Sequence, residues 1–197
     1  CAENDKIEFI LIPGDIANEG RAVKQQHLEV VEKFRKFEQE TGKQIYVING
    51  NHDAGKGEKE GETSLEEFRE IYYEFGFSEA LSTMEGNLSY TVDLNEKYRL
   101  IASDSCDINR STGDGMTEDR VEWVVKEAEK AFADGKYPIL MMHHNLLDHM
   151  PIQGLLSKDF IIRNHISTAE KFANAGIKMV FTGHEQCSDA NTYTSSK

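Results

Sequence analysis

The chain has 197 residues, with 22 Lys and Arg against 35 Asp and Glu, a formal net charge of −13 at pH 7. At 39% hydrophobic and 29% charged residues it can bury a core, and it contains no apolar run of the ~20 residues that a transmembrane helix needs, which excludes the disordered and membrane-spanning classes. Surplus anion disfavours binding to phosphate backbones, so no nucleic-acid partner is expected, whereas carboxylates gathered around metal ions fit the same balance.

In chain order, residues 7–13 (IEFILIP) form an apolar run ending in Gly14-Asp15, which predicts a strand buried on both faces with a functional turn at its carboxyl end. A long helix is expected over 22–41, where Val23, Leu28, Val31, Phe34 and Phe37 share a face and Gly42 supplies the stop. Residues 45–48 are a second buried strand running into Asn49-Gly50-Asn51-His52-Asp53, and the Gly- and Glu-rich 54–63 is expected to be a mobile surface loop. Ser64 to Glu67 form a capping box for a helix that carries Phe68, Ile71, Tyr72 and Phe75 and closes at Gly76. Runs 88–94 and 98–103 read as strands joined in a hairpin by Asn95-Glu96-Lys97.

Thr117 and the acidic pair after it start a helix with Val121, Val124, Val125, Ala128 and Phe132 on one face, ending at Gly135. Residues 138–142 (PILMM) are a buried strand delivering His143-His144-Asn145, and a loop or short helices run to Ser167. Residues 168–175 are helical with Gly176 as the stop, and 178–181 form a last strand ending in Thr182-Gly183-His184. Strands separated by helices imply an α/β layered fold, with a partly parallel, mixed sheet covered by helices on both faces. One domain over 1–197 is the expectation from length.

Cys1, Cys106 and Cys187 are odd in number and far apart, which predicts isolated thiols rather than a disulfide framework or a cysteine zinc cluster. A translated chain starts with Met, so Cys1 implies residues upstream. A lipid anchor on Cys1 is one reading, but a core-like strand begins only six residues later and leaves almost no tether; a chain continuing upstream is preferred. The compartment stays open, cytoplasmic or extracytoplasmic, and so does the oligomeric state.

Four expected strands end in polar clusters: Gly14-Asp15, Gly50-Asn51-His52-Asp53, His143-His144-Asn145 and Gly183-His184. In open α/β sheets ligands bind beyond the carboxyl ends of the strands, so these distant residues can converge on one crevice. Each cluster has an ordinary reading when taken alone: a turn, a helix cap, a structural histidine. Four coincidences at successive strand ends are harder to explain that way. One carboxylate, one amide oxygen and two imidazoles make a mixed oxygen and nitrogen set suited to Mn, Fe or Zn.

The residues also match a family pattern. Gly14-Asp15-Ile16-Ala17-Asn18-Glu19-Gly20 fits the block GDxx(D/N)xG, Gly50 to Asp53 fits GNH(D/E), His143 fits the isolated-histidine block, and Gly183-His184 fits the start of GHxH. In order and spacing the chain resembles the calcineurin-like metallophosphoesterases, and the wording around the motifs is similar to bacterial members. The resemblance implies a layered phosphoesterase fold and divalent metal ions, two in the family. Asp15 would bridge them, and Asn51, His143 and His184 would complete the second metal's shell. His52 would protonate the leaving oxygen or steady the phosphoryl charge, oriented by Asn18. Paired cations share a hydroxide and neutralise phosphate oxygens during in-line attack, and a noncoordinating histidine can give or hold a proton near neutrality. His144 is expected to point the other way from His143 and to pack or touch substrate. Asp148 and His149 are pocket-lining candidates on a nearby loop, with a solvated loop as the equal alternative, and Asp53 is a further pocket candidate.

Two departures concern the first metal. The family's Asp-x-His opening block does not precede Asp15, and the closing block reads Gly183-His184-Glu185-Gln186, leaving Gln186 as a weak neutral ligand. An Asp-x-His strand upstream is the expectation, with the chain incomplete at both ends. The leading reading is a phosphoesterase acting on a small phosphorylated substrate. The alternatives are a catalytically impaired module that binds metal or phosphate, and an adhesive surface domain anchored through Cys1.

Overall fold

A computed structural model describes residues 4–110, 114–150, 153, 159–186 and 188–195. Cys1, with its lipid-anchor reading, and Cys187 lie outside the described residues; Cys106 is buried and free.

Strand β1 (Phe9–Pro13) pairs in parallel with β2 (Gln44–Ile48), in the register Phe9 to Gln44 and Pro13 to Ile48. Helix α1 (Lys24–Thr41) connects them. Gly42 ends α1 in the left-handed region, φ 67°, with its N–H on the Glu38 carbonyl, a geometry that costs a Cβ-bearing residue more. Ser64 and Glu67 exchange both hydrogen bonds of a capping box at the start of α2 (Leu65–Ile71). The second sheet has the order β3 (Ser82–Thr83), β4 (Tyr90–Asp93), β5 (Tyr98–Ser103), β6 (Tyr137–Met142), β7 (Val180–Phe181). Its first two pairings are antiparallel, and β5 with β6 and β6 with β7 are parallel. Helices α3 (Glu118–Ala133) and α4 (His165–Asn174) lie within those parallel connections, as parallel pairing requires a crossover.

The period-two alternation of β5 and β6 sorts their side chains between two cores. Leu100, Ala102, Ile139 and Met141 pack toward β2 and the aromatic set Phe68, Tyr72, Phe75 and Phe77. Ile101, Leu140 and Met142 pack toward Val121, Val124 and Ala128 of α3 and Ala169 and Phe172 of α4. The mixed sheet is thus buried on both faces, with sheet against one and helices against the other. Each fully buried Leu, Ile or Phe contributes ~1.5–3 kcal/mol relative to exposure. Tyr90 on β4 ties the sheets together by donating its hydroxyl hydrogen to the Val47 carbonyl, 2.7 Å away.

Helix α1 begins two residues late, β4 and β7 are shorter than expected, and four further local features differ from expectation. β1 is half-buried at all five residues rather than buried on both faces, because β2 is its one partner strand among the described residues. α2 ends at Ile71, and the aromatics after it continue in a turn to a short 3-10 helix, Phe77–Glu79. The two-residue strand β3 is additional. α4 begins at His165, three residues early, after Asn164 turns left-handed at φ 55°. No described helix is long and apolar enough to cross a membrane.

His27 on α1 is fully buried, with Nε2 2.8 Å from the Asp53 carbonyl and Nδ1 2.8 Å from the Tyr72 hydroxyl. A carbonyl only accepts, so Nε2 carries the proton and Nδ1 accepts from Tyr72. Burial lowers the ring's pKa below 6.5 against the opposing pull of the Asp53 carbonyl. The unfolded chain therefore takes up this proton first on acidification. The contribution of His27 is complete above pH 6.5 and is lost as pH falls from 6.5 toward the lowered folded value. Between pH 8 and pH 5 the urea midpoint of a His27→Gln variant is expected to fall less, or rise more, than that of the unmodified chain, in which the raised Asp53 carboxyl acts in the opposite direction; equal slopes would rule this out.

Candidate metal centre

The site begins with two glycines that touch through their backbones. A Cβ on Gly14 would stand 2.4 Å from Gly50 N, and one on Gly50 would stand 2.2 Å from Asp15 N and 2.8 Å from His143 Cε1. The turns after β1 and β2 can meet this closely only without side chains. Asp53, fully buried, then ties them: Oδ1 accepts from the N–H groups of Ile16 (2.8 Å) and Ala17 (3.0 Å), and Oδ2 from that of Gly50 (2.7 Å). Burial pushes the Asp53 carboxyl up to about 7, the N–H donors pull it down, and the nearby Asp15 charge adds to the rise. Both its oxygens are engaged with backbone, so the pocket-lining expectation for Asp53 gives way to a structural tie. Gly50→Ala is expected to cost ~1–3 kcal/mol through overpacking, read as a lower denaturant midpoint.

From this frame Asp15 and Asn51 meet His143 from the end of β6 and His184 from just beyond β7. His143 Nε2 is 3.0 Å from Asn51 Oδ1, 3.0 Å from His184 Nδ1 and 3.4 Å from Asp15 Oδ2. His184 Nδ1 is 3.9 Å from Asp15 Oδ2. Asp15, His143 and His184 offer ligand atoms all within 4.8 Å of one another, the one such cluster of His, Cys, Asp and Glu among the described residues. Asp15 and His184 hold left-handed conformations, φ 50° and 67°, each a strain of ~1–3 kcal/mol that the surrounding contacts must hold.

The second nitrogen of each imidazole faces a carbonyl. His143 Nδ1 is 2.8 Å from Pro13 O, and His184 Nε2 is 3.2 Å from Asp159 O. Carbonyl oxygens only accept, so each takes the ring's N–H and leaves the other nitrogen's lone pair facing Asp15 and Asn51. Two lone pairs 3.0 Å apart, beside an amide oxygen and a carboxylate, repel unless positive charge sits among them. The donor set therefore fits a divalent cation, and the carbonyls set the tautomers that ligation needs. Burial opposes the charge of Asp15, but hydrogen bonds from His143 and His184 when those rings carry a second proton, together with the N–H of His52, prevail and hold its carboxyl far below the ordinary range.

Other expected site residues fall elsewhere. His52 and Asn18 are exposed, and His52 joins the frame through its backbone N–H, 3.1 Å from Asp15 Oδ1. No hydrogen bond between the His52 and Asn18 side chains is found among the described residues. His144 is fully buried, with its ring against those of His143 and His184, which puts packing rather than substrate contact within its reach. Gln186 is exposed at φ 52°, and Glu185 beside it accepts from Asn145 and Gln153. His149 pairs with Asp189 at 2.9 Å and lines a cavity of about 430 Å³ with Glu185, Phe172 and Tyr193, a cavity that includes none of the four converging donors. Asp148, on the same loop, lies 3.6 Å from His165. Sequence reasoning missed the carbonyls of Pro13 and Asp159, because backbone atoms carry no residue-specific signal, and Ser105, a single serine outside the four motif blocks.

A family model described as calcineurin-like phosphoesterase matches residues 1–188, and the chain belongs to that family. No curated protein matches it. The family acts by metal-dependent hydrolysis of phosphoesters, and its divalent-metal chemistry has a matching donor cluster in Asp15, His143 and His184.

Proposed function

We propose that the protein is a metal-dependent phosphoesterase acting on a small phosphomonoester or phosphodiester, with Asp15, Asn51, His143 and His184 holding Mn, Fe or Zn. The observation that carries this reading is the pair of imidazoles whose lone pairs are turned onto one carboxylate by carbonyl partners on their far sides. A bound divalent cation would supply Lewis-acid polarisation of the phosphoryl group and a lowered pKa for water.

The chain's own residues do the rest. Asp15 brings the negative charge that compensates a cation, and Asn51 adds a neutral oxygen. Gly14 and Gly50 keep the floor of the site free of side chains. His52, exposed and next in the chain to Asn51, would protonate the leaving oxygen, with Asn18 as its orienting candidate. The net charge of −13 favours small substrates over long polyanions.

A second reading, a binding module with one cation and little turnover, is favoured by Gln186, exposed where the family's last histidine would stand. Hydrolysis of an aryl phosphodiester with added Mn²⁺ separates the two. Turnover by the unmodified chain supports the enzyme; no turnover, with gain in a Gln186→His variant, supports the module.

A further inference from the structure

We propose that Ser105 is a positioning residue for this centre, acting through the His143-His144 pair. Pairing of β5 with β6 ends at Ser103 and Met142, so on the β5 side the two histidines begin where the ladder stops. Ser105, fully buried, takes over that task. Its Oγ accepts from the backbone N–H of His143 (3.2 Å) and of His144 (3.0 Å). Both lone pairs are then used, and the hydroxyl hydrogen is left for His144 Nδ1, 3.0 Å away.

One hydroxyl therefore fixes two things. It holds the backbone from which His143 projects toward Asp15, and it sets the ring of His144. That ring lies 5.3 Å from the His143 ring, nearly perpendicular at 84°, and 4.8 Å from the His184 ring. His144 is thus a wedge behind both imidazoles of the donor set, and Ser105 determines its orientation. Asp15 and Asn51 are positioned by a different device, the Gly14–Gly50 contact and Asp53.

The proposal rests on the metal-centre reading above, and the experiment keeps the two apart. Mn²⁺ affinity of the whole chain is measured by calorimetry, well below each variant's melting temperature, so that lower stability alone does not register. Ser105→Ala is expected to weaken Mn²⁺ binding by ~10–100-fold, the range seen for hydrogen-bond partners of ligands. Ser105→Thr, which keeps the hydroxyl, should recover most of that affinity. His144→Phe, which keeps the ring and removes Nδ1, should weaken binding in the same direction. Binding by Ser105→Ala equal to that of the unmodified chain overturns the role of Ser105. If Ser105→Ala does not fold, unchanged binding by His144→Phe does so instead. An unmodified chain that binds none of Mn²⁺, Fe²⁺ and Zn²⁺ overturns the metal-centre reading itself.

Discussion

Asp15→Asn is expected to abolish Mn²⁺-dependent hydrolysis while leaving the fold intact. The amide is nearly isosteric and can still accept the His52 N–H that Asp15 Oδ1 accepts at 3.1 Å. The change removes the one formal negative charge in the donor cluster. The remaining donors are an amide oxygen and two imidazoles, and a divalent cation among them has no anionic compensation. The loss should exceed the ~10–100-fold attached to outer hydrogen-bond partners of ligands. Retained Mn²⁺ affinity together with retained kcat/KM would remove Asp15 from the site and the proposed chemistry with it.

His52→Ala should behave in the opposite way, keeping metal and losing rate. The tie of His52 to the frame runs through its backbone N–H, which alanine preserves, and its exposed side chain is not part of the donor cluster. General acid catalysis by a positioned side chain is worth ~10²–10⁴-fold, so kcat is expected to fall by that range. Calorimetric Mn²⁺ affinity should stay within a few-fold of the unmodified chain. If affinity collapses along with rate, His52 is a ligand or a structural support and the acid role is wrong.

Much of the fold is legible because buried runs and glycine stops coincide. Residues 45–48 and 138–142 read as buried strands, and they are; Gly42 ends a helix in the left-handed geometry that its position implies. The aromatic stretch after Ile71 misleads for a physical reason. Phe68, Tyr72 and Phe75 keep helical spacing, yet Tyr72 caps the helix and Phe75 enters the core from a turn. Half-burial of β1 depends on which strands neighbour it, a tertiary fact without local signature. At the site, Asp15, Asn51, His143 and His184 were legible as side chains at strand ends, and the structure draws them together. The carbonyls that turn the imidazoles, and the left-handed backbone at Asp15 and His184, were not, because they arise from the path of the chain rather than residue identity.

The converging donors come in equal numbers from the two sheets: Asp15 and Asn51 follow β1 and β2, and His143 and His184 follow β6 and β7. A cation gripped by all four would work as a removable cross-link between layers that also adhere through side-chain packing and hydrogen bonds such as Tyr90 to Val47 and Asn49 to Asp104. Resistance to unfolding then becomes a function of free metal concentration, rising by ~2.7 kcal/mol at a hundredfold excess over Kd. Chelation would be felt along the whole junction, as faster amide exchange in β2 and β6, many residues from the ion that was withdrawn.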